Sequence, residues 1–198
     1  MKLIEPLIAW KDEMTALRRD IHAHPELAYE EVRTADVVAK SLQAWGIPVH
    51  RGLGITGVVG TITGRTDNGK AVGLRADMDA LPMQETNTFE HASKNEGKMH
   101  ACGHDGHTAM LLAAARYLAE NRDFDGTVYV IFQPAEEGFS GAKRMIDDGL
   151  FEQFPMQAVF GLHNWPGMPA GTFGIVPGPI MGGSNLFRIT LEGKGAHA

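Results

Sequence analysis

The sequence predicts an α/β fold with a mostly parallel sheet and flanking helices. Two continuous runs of β-branched, aliphatic and aromatic residues, TVYVIF at 127–132 and AVFGL at 158–162, are typical of strands buried on both faces. Stretches in which apolar residues recur at helical spacing precede and follow these runs. Alternation of strands with helices is typical of α/β proteins, in which the strands lie mostly parallel.

The helices are predicted from apolar spacing and from the residues that end them. Proline restricts the conformation of the residue before it, so His24-Pro25 ends the first helix. Gly46 closes the second. The four predicted helices span 3–21, 30–45, 108–118 and 141–148.

The other predicted strands are shorter or alternate in polarity. The segment SNLFRITL alternates apolar and polar residues, as a half-buried strand does. A long polar segment with several glycines, at 77–103, predicts a loop that carries function. The additional strands are predicted at 57–63, 71–76 and 184–191.

Composition excludes several classes of protein. The chain has 198 residues, with 18 Lys and Arg against 24 Asp and Glu and a formal net charge of −6. This charge argues against nucleic acid as a partner, since such binding depends on cationic contacts with phosphates. No apolar run approaches the roughly 20 residues of a membrane span, so no membrane partner is expected. The single cysteine, Cys102, cannot form an internal disulfide and predicts a reducing, cytoplasmic environment.

Ionisable residues follow three predicted strands, at the ends where parallel sheets place their sites. A fourth group, ACGHDGH at 101–107, directly precedes a predicted helix, and its first glycine would let two side chains face one point. Together these segments carry the nitrogen, sulfur and oxygen donors that a divalent-metal site requires. The candidate residues are Asp77, Asp79, Cys102, His104, Glu136, Glu137 and His163.

Each of these segments also has a simpler interpretation. The aspartates could be turn or helix-capping residues, the cysteine a small buried hydrophobe and His163 a core histidine. The main chemical alternative makes Cys102 a nucleophile with His163 as its base, but it leaves Glu136 and Glu137 unexplained. A nucleotide-binding loop would use three glycines whose spacing does not match G-x-G-x-x-G, namely Gly54, Gly57 and Gly60.

The adjacent glutamates predict a division of labour. Neighbouring side chains in a loop after a strand project in different directions, so one can bind metal while the other reaches a water molecule. The second carboxylate would take the proton of the water and later pass it to the leaving amine. A binding protein needs no such base, so an enzyme is favoured over a non-catalytic metal-binding module.

Six stretches of the chain resemble one family and occur in the order of that family. They are LRRDIHAHPELAYEE (17–31), GLRADMDALPMQE (73–85), MHACGHDGHTAML (99–111), VIFQPAEEG (130–138), GLHNWPG (161–167) and GKGAHA (193–198). The family is the amidohydrolase branch of the dinuclear metallohydrolases, which includes aminoacylase, hippurate hydrolase and the hydrolases of indole-acetyl-amino-acid conjugates. Because the stretches are spread along nearly the whole length of the chain, from residue 17 to residue 198, the resemblance is more specific than any single motif.

The resemblance implies two divalent metal ions per subunit, with zinc, manganese, cobalt and nickel as candidates. It implies that the Cys102 thiolate bridges the ions, that His104 and Glu137 are ligands, and that His163 binds the second ion. Glu136 resembles the general base of the family.

The resemblance gives the remaining acidic residues and histidines supporting roles. The wider peptidase group carries a histidine ligand where this chain has Asp77, followed two residues later by an orienting aspartate, here Asp79. The amidohydrolase branch also has Asp at the first position, so we expect both aspartates to support the ligands rather than bind metal. Supporting or structural roles are also expected for His22, His24, His100 and His107.

The family protein is about twice as long as this chain, and its catalytic domain is interrupted by a smaller α/β lid domain that forms a homodimer. By this resemblance, residues 1–183 are the N-terminal part of a zinc-peptidase-like catalytic domain and 184–198 are the first strand of the lid. His197 matches a lid histidine that contacts the substrate and helps stabilise the developing oxyanion. A further ligand histidine of the family has no counterpart in these residues, so the isolated chain is expected to be inactive.

The implied reaction is hydrolysis of the amide bond of an N-acyl amino acid, giving a carboxylic acid and a free amino acid. Hippurate-type substrates are the first choice. The alternatives are N-acetyl amino acids, N-acetyl-diaminopimelate and small peptides.

Overall fold

The computed structural model describes residues 4–183, 185 and 187–197. The chain forms two compact units, Met1–Asn164 and Trp165–Ala198, and the helices and strands of the described residues lie in the first. The helices are α1 (Glu5–Ala9), α2 (Lys11–Ala23), α3 (Val32–Ala44), α4 (His104–Glu120), α5 (Gly141–Asp147) and α6 (Leu150–Gln153). The strands are β1 (Val49–Arg51), β2 (Val58–Thr63), β3 (Thr66–Asp77), β4 (Asp125–Gln133) and β5 (Ala158–Gly161). None of the helices in the described part of the chain is long and apolar enough to cross a membrane.

The five strands form one sheet in the order β1-β2-β4-β3-β5. β3 pairs parallel with β4 and β5, whereas β2 pairs antiparallel with β1 and β4. The predicted α/β fold with flanking helices is confirmed, but the sheet is mixed rather than mostly parallel. One physical reason is the short connection between β1 and β2, because a parallel crossover needs a dozen or more residues.

Strand β4 is the central strand, and its apolar run is buried on both faces as predicted. Val130 and Phe132 pack in a cluster with Leu112 of α4, while Ile131 packs in a second cluster with Met145 of α5. This alternation is the two-residue period of a strand whose successive side chains point to opposite faces. Helices therefore cover both faces of β4, which makes it a rigid support for the loop that follows it.

Two predicted helices have different boundaries in the structure. The first is interrupted at Trp10, which separates α1 from α2. The helix predicted to start at residue 108 starts at His104, because Gly103 adopts a left-handed conformation, with φ of 94°, that ends the preceding loop. His104 and His107 therefore lie in the first turn of α4 rather than in the loop before it.

The prediction that the strand at 158–162 is buried on both faces is wrong. β5 is at the edge of the sheet, paired with β3, and Val159 and Phe160 are exposed. An apolar run indicates that a strand can be buried but does not show which neighbours cover it.

The second unit contains no helix or strand in its described residues. The strand predicted at 184–191 is not formed at the described positions of that range, and Ser184 and Leu186 lie outside the described residues. Phe187 and Leu191 are exposed rather than half-buried. A single extended segment is not stable as a strand without hydrogen-bonding partners, so the alternation of apolar and polar residues did not correctly predict a strand in this segment. The predicted domain boundary between residues 183 and 184 remains a prediction.

Candidate metal centre

The candidate residues meet at the carboxyl ends of the parallel strands β3, β4 and β5. Asp77 is the last residue of β3, Glu136 and Glu137 follow β4, and His163 follows β5. His104 opens α4, which brings it to the same edge. This is the position at which open α/β sheets bind their ligands.

One sulfur and two nitrogen donor atoms, from three side chains, lie close together around the start of α4. The Cys102 Sγ is 3.4 Å from His163 Nε2, and Cys102, His104 and His163 each offer a donor atom within 4.8 Å of the others. The left-handed Gly103 makes this approach possible, as the sequence predicted. Thiolate and imidazole donors are the ligand types that suit Zn²⁺ and related divalent ions.

A second donor group combines His104 with the two glutamates. His104 Nε2 lies 3.9 Å from a carboxylate oxygen of Glu136 and 3.9 Å from one of Glu137. Both His104 Nε2 and Glu137 Oε1 are buried without a hydrogen-bond partner. Buried polar atoms are nearly always satisfied, so these two unpartnered atoms call for a ligand. A divalent cation fits them, because both can donate a lone pair.

Asp79 holds the imidazole of His104 in the orientation that a metal ligand needs. His104 Nδ1 lies 2.8 Å from the Asp79 carbonyl oxygen and 3.2 Å from its Oδ1. A carbonyl oxygen only accepts hydrogen bonds, so Nδ1 carries a proton, and in the neutral imidazole Nε2 has the lone pair that a metal ion would take. The other carboxylate oxygen of Asp79 accepts the Glu137 backbone N–H at 2.9 Å, so this one residue supports two candidate ligands.

Asp77 lies in a third donor group, with His104 and His107, but its oxygens are already engaged. One accepts His107 Nδ1–H at 2.6 Å and the other accepts Arg75 at 2.8 Å. Burial acts to raise the pKa of Asp77, but the hydrogen bond from His107 and the charges of His104 and Arg75 outweigh it and lower the pKa to about 2. This bonding suits a supporting residue better than a metal ligand.

The electrostatic environment disfavours a free cysteine nucleophile. Burial and the neighbouring carboxylates, chiefly Glu137, raise the pKa of the Cys102 thiol to about 12. Reactive cysteines have the opposite environment, with a lowered pKa and positive surroundings. Burial and Glu137 also raise the pKa of Glu136. A bound cation would reverse the effect on the thiol, because coordination favours the thiolate.

Among the other histidines of the matching stretches, His22 and His24 make structural contacts. His22 is buried between Asp105 and Glu85, at 3.0 and 3.2 Å, and His24 Nδ1 lies 2.7 Å from a backbone carbonyl in α2. His100 is buried with neither ring nitrogen hydrogen-bonded, and burial lowers its pKa to about 4. His197 lies exposed in the second unit, so its predicted contact with substrate remains a prediction.

Sequence reasoning missed three residues that support the site. Asn164 donates its backbone N–H to His107 Nε2 at 3.0 Å, and its side-chain Oδ1 lies 2.6 Å from the same nitrogen. Arg75 bonds both Asp77 and Gln133. Glu31 is fully buried and accepts the Ala135 N–H. Asn164 and Arg75 adjoin predicted site residues and could have been found by that proximity, whereas Glu31 stands at a helix start where glutamate is ordinary.

A mixed α/β sheet that carries Cys, His and Glu donors at its carboxyl edge has the donor types that a divalent-metal site requires. The family model for peptidase family M20/M25/M40 matches residues 73–197. The chain belongs to this family.

Known relatives agree with this assignment. Hippurate hydrolase from Campylobacter jejuni is 46% identical over 197 residues, which are 100% of this chain and 51% of that protein. An IAA-amino acid hydrolase from Arabidopsis thaliana is 47% identical over 188 residues, 94% of this chain and 42% of that protein. The crystal structure of a Bacillus subtilis protein, described as a dinuclear metal binding peptidase from the M20 family, matches with a TM-score of 0.78 and 40% identity. The match covers 83% of this chain and 45% of that one. The chain thus spans about half the length of the curated relatives it matches.

Proposed function

We propose that this chain is the N-terminal part of a metal-dependent amidohydrolase that cleaves the amide bond of N-acyl amino acids. The observation that carries the proposal is the pair of buried, unpartnered donor atoms, His104 Nε2 and Glu137 Oε1, beside the carboxylate of Glu136. The relatives named as hydrolases of acylated amino acids support the reaction class.

Two divalent ions would be held by Cys102, His104, Glu137 and His163. The bound ions would supply Lewis acidity, which polarises the amide carbonyl and makes water more acidic. Zinc, manganese, cobalt and nickel all accept this mixture of sulfur, nitrogen and oxygen donors. Asp79 would keep the His104 lone pair aimed at the centre.

Glu136 would be the general base. Its side chain is 39% exposed, so water and substrate can reach it, and burial together with Glu137 raises its pKa above the ordinary value of a glutamate. Glu136 takes one proton from water as the oxygen attacks the carbonyl carbon. It then delivers that proton to the amide nitrogen as the carbon–nitrogen bond breaks. One water is consumed, and one carboxylic acid and one amino acid are released.

Hippurate-type compounds are the first-choice substrates, with N-acetyl amino acids, N-acetyl-diaminopimelate and small peptides as alternatives. The complete protein would be a homodimer, formed through a lid domain whose first strand is 184–198, and His197 would contact the substrate carbonyl. A cytoplasmic location fits a catalytic thiolate ligand, because oxidation of Cys102 would destroy the site.

The complete gene product tests the proposal directly. It is stripped of metal with a chelator and assayed for free amino acid released from N-benzoylglycine, N-acetyl amino acids and dipeptides, before and after addition of Mn²⁺ or Zn²⁺. We expect metal-dependent release of amino acid, fastest from an N-acyl amino acid. Tight metal binding without release from any of these compounds would instead support a non-catalytic metal-binding protein.

A further inference from the structure

Glu31 is a buried carboxylate that bonds the turn carrying the two candidate catalytic glutamates. It stands directly before α3 and is fully buried. One of its oxygens accepts the Thr56 hydroxyl at 2.6 Å, and the other accepts the Ala135 backbone N–H at 2.8 Å. Glu31 is 104 residues away from Ala135 in sequence, so this bond ties the start of α3 to the end of β4.

Ala135 adopts a strained backbone conformation immediately before Glu136. Its φ is 51°, in the left-handed region that residues other than glycine rarely adopt. Such a conformation costs free energy and persists only where the surroundings hold it, and it is frequent at functional sites. The Ala135 side chain is fully buried, and its carbonyl oxygen accepts the Gly141 N–H at 2.9 Å.

Two buried carboxylates therefore hold the backbone on either side of Glu136. Glu31 accepts the N–H of Ala135, and Asp79 accepts the N–H of Glu137. A buried backbone N–H that loses its acceptor is left unsatisfied, which costs more free energy than the hydrogen bond itself contributes. The direction in which Glu136 and Glu137 project depends on this turn.

We propose that Glu31 is a positioning residue for the hydrolytic site. Through the Ala135 N–H it stabilises the left-handed turn that presents Glu136 to the substrate and Glu137 to the metal ions. The proposal rests on the function proposed above for those two glutamates, but it makes a separate statement about metal affinity.

Four single variants and one double variant of the complete gene product separate this role from simple core packing. Glu31→Leu removes the hydrogen-bond acceptor and fills its place with an apolar side chain of similar size. Glu31→Gln keeps one acceptor oxygen for Ala135, while its amide nitrogen can donate to the Thr56 hydroxyl. Thr56→Val removes the other hydrogen bond of Glu31 and leaves the Ala135 bond in place. Ala135→Gly, made alone and together with Glu31→Leu, allows the left-handed conformation without strain.

The measurements are kcat and KM with N-benzoylglycine, the Kd for Mn²⁺ of the metal-free protein, and the thermal unfolding midpoint. We expect Glu31→Leu to lower kcat by roughly tenfold to a hundredfold with little change in KM, because small misplacements of catalytic groups have effects of this size. The Kd for Mn²⁺ should rise in parallel. Glu31→Gln and Thr56→Val should stay within about threefold of the wild type, and Ala135→Gly should restore much of the loss in the double variant.

Wild-type kcat and Mn²⁺ affinity in a folded Glu31→Leu variant would overturn the proposal. A loss that Ala135→Gly does not reduce would also overturn it, because it would show a packing role. If Glu31→Leu does not fold, the double variant with Ala135→Gly distinguishes the two outcomes. Recovery of folded, Mn²⁺-binding protein in the double variant would support the proposal, and continued failure to fold would reject it. If the wild-type protein hydrolyses no N-acyl amino acid, the proposed function fails, whereas the Mn²⁺ affinities still test Glu31.

Discussion

Replacement of Gly103 by alanine would disturb the metal centre by straining the backbone between two candidate ligands, without removing any donor atom. Gly103 separates Cys102 from His104 and has φ of 94°, where an alanine is strained. A Cβ built there would lie 2.8 Å from Asn164 Cγ, closer than real Cβ atoms approach. Asn164 would have to move, and its contacts with His107 would be weakened.

The expected cost of Gly103→Ala follows from these two effects. The strained conformation costs about 1–3 kcal/mol. Loss of a net hydrogen bond between Asn164 and His107 adds about 1 kcal/mol. If the metal-free loop relaxes, the total of about 2–4 kcal/mol raises the Kd for Mn²⁺ by roughly 30-fold to several hundred-fold. If it does not relax, the same free energy is lost from the stability of the folded protein.

Competition with a chromophoric chelator measures the Kd, and denaturant unfolding of the metal-free protein measures the stability. Gly106→Ala is the matched control, because its Cβ would meet only Arg18, at an ordinary 3.5 Å, and alanine is favoured within a helix. We expect this control to bind Mn²⁺ like the wild type. Wild-type Mn²⁺ affinity together with wild-type stability in Gly103→Ala would refute the reasoning.

Three further predictions concern the ligands, the base and the isolated chain. Cys102→Ala should weaken binding of both ions, whereas His163→Ala should weaken binding of mainly one. Elemental analysis measures the number of ions per chain, and two tightly held ions in Cys102→Ala would exclude a bridging thiolate. Glu136→Gln should keep the metals while kcat falls by ~10²–10⁴-fold, and Glu137→Gln should lower metal occupancy; near-normal turnover in Glu136→Gln would contradict the assigned roles. The chain 1–198 expressed alone should associate through the exposed apolar edge strand β5 and show no hydrolysis; a monomer by light scattering with full turnover would contradict this.

The local pattern of the sequence predicted most of the fold. The buried run of β4 and the helices on either side of it appear where apolar periodicity placed them. The pairing of the strands was harder to predict. The antiparallel direction of β1 and β2 and the edge position of β5 depend on neighbouring strands, which the periodicity of the sequence does not specify. The early start of α4 depends on the backbone conformation of a single glycine, Gly103.

The part of the candidate metal centre that could be predicted from the sequence is the set of donors that directly follow strands. Cys102, His104 and His163 were predicted to meet and do so. The network behind them was not predictable, because each of its bonds joins distant parts of the chain. Glu31 and Ala135 show this most clearly: neither belongs to a metal-ligand pattern, and their relation arises only when α3 packs beside the end of β4.

Anomalous diffraction can show whether the donors at the carboxyl edge of the sheet bind metal ions. The data would be recorded on both sides of the manganese absorption edge, from crystals of the complete gene product grown with Mn²⁺. We expect anomalous peaks within bonding distance of Cys102 Sγ, His104 Nε2 and the carboxylate of Glu137, with one of the peaks also within bonding distance of His163. Crystals whose anomalous peaks lie only elsewhere, with these side chains free of metal, would contradict this expectation.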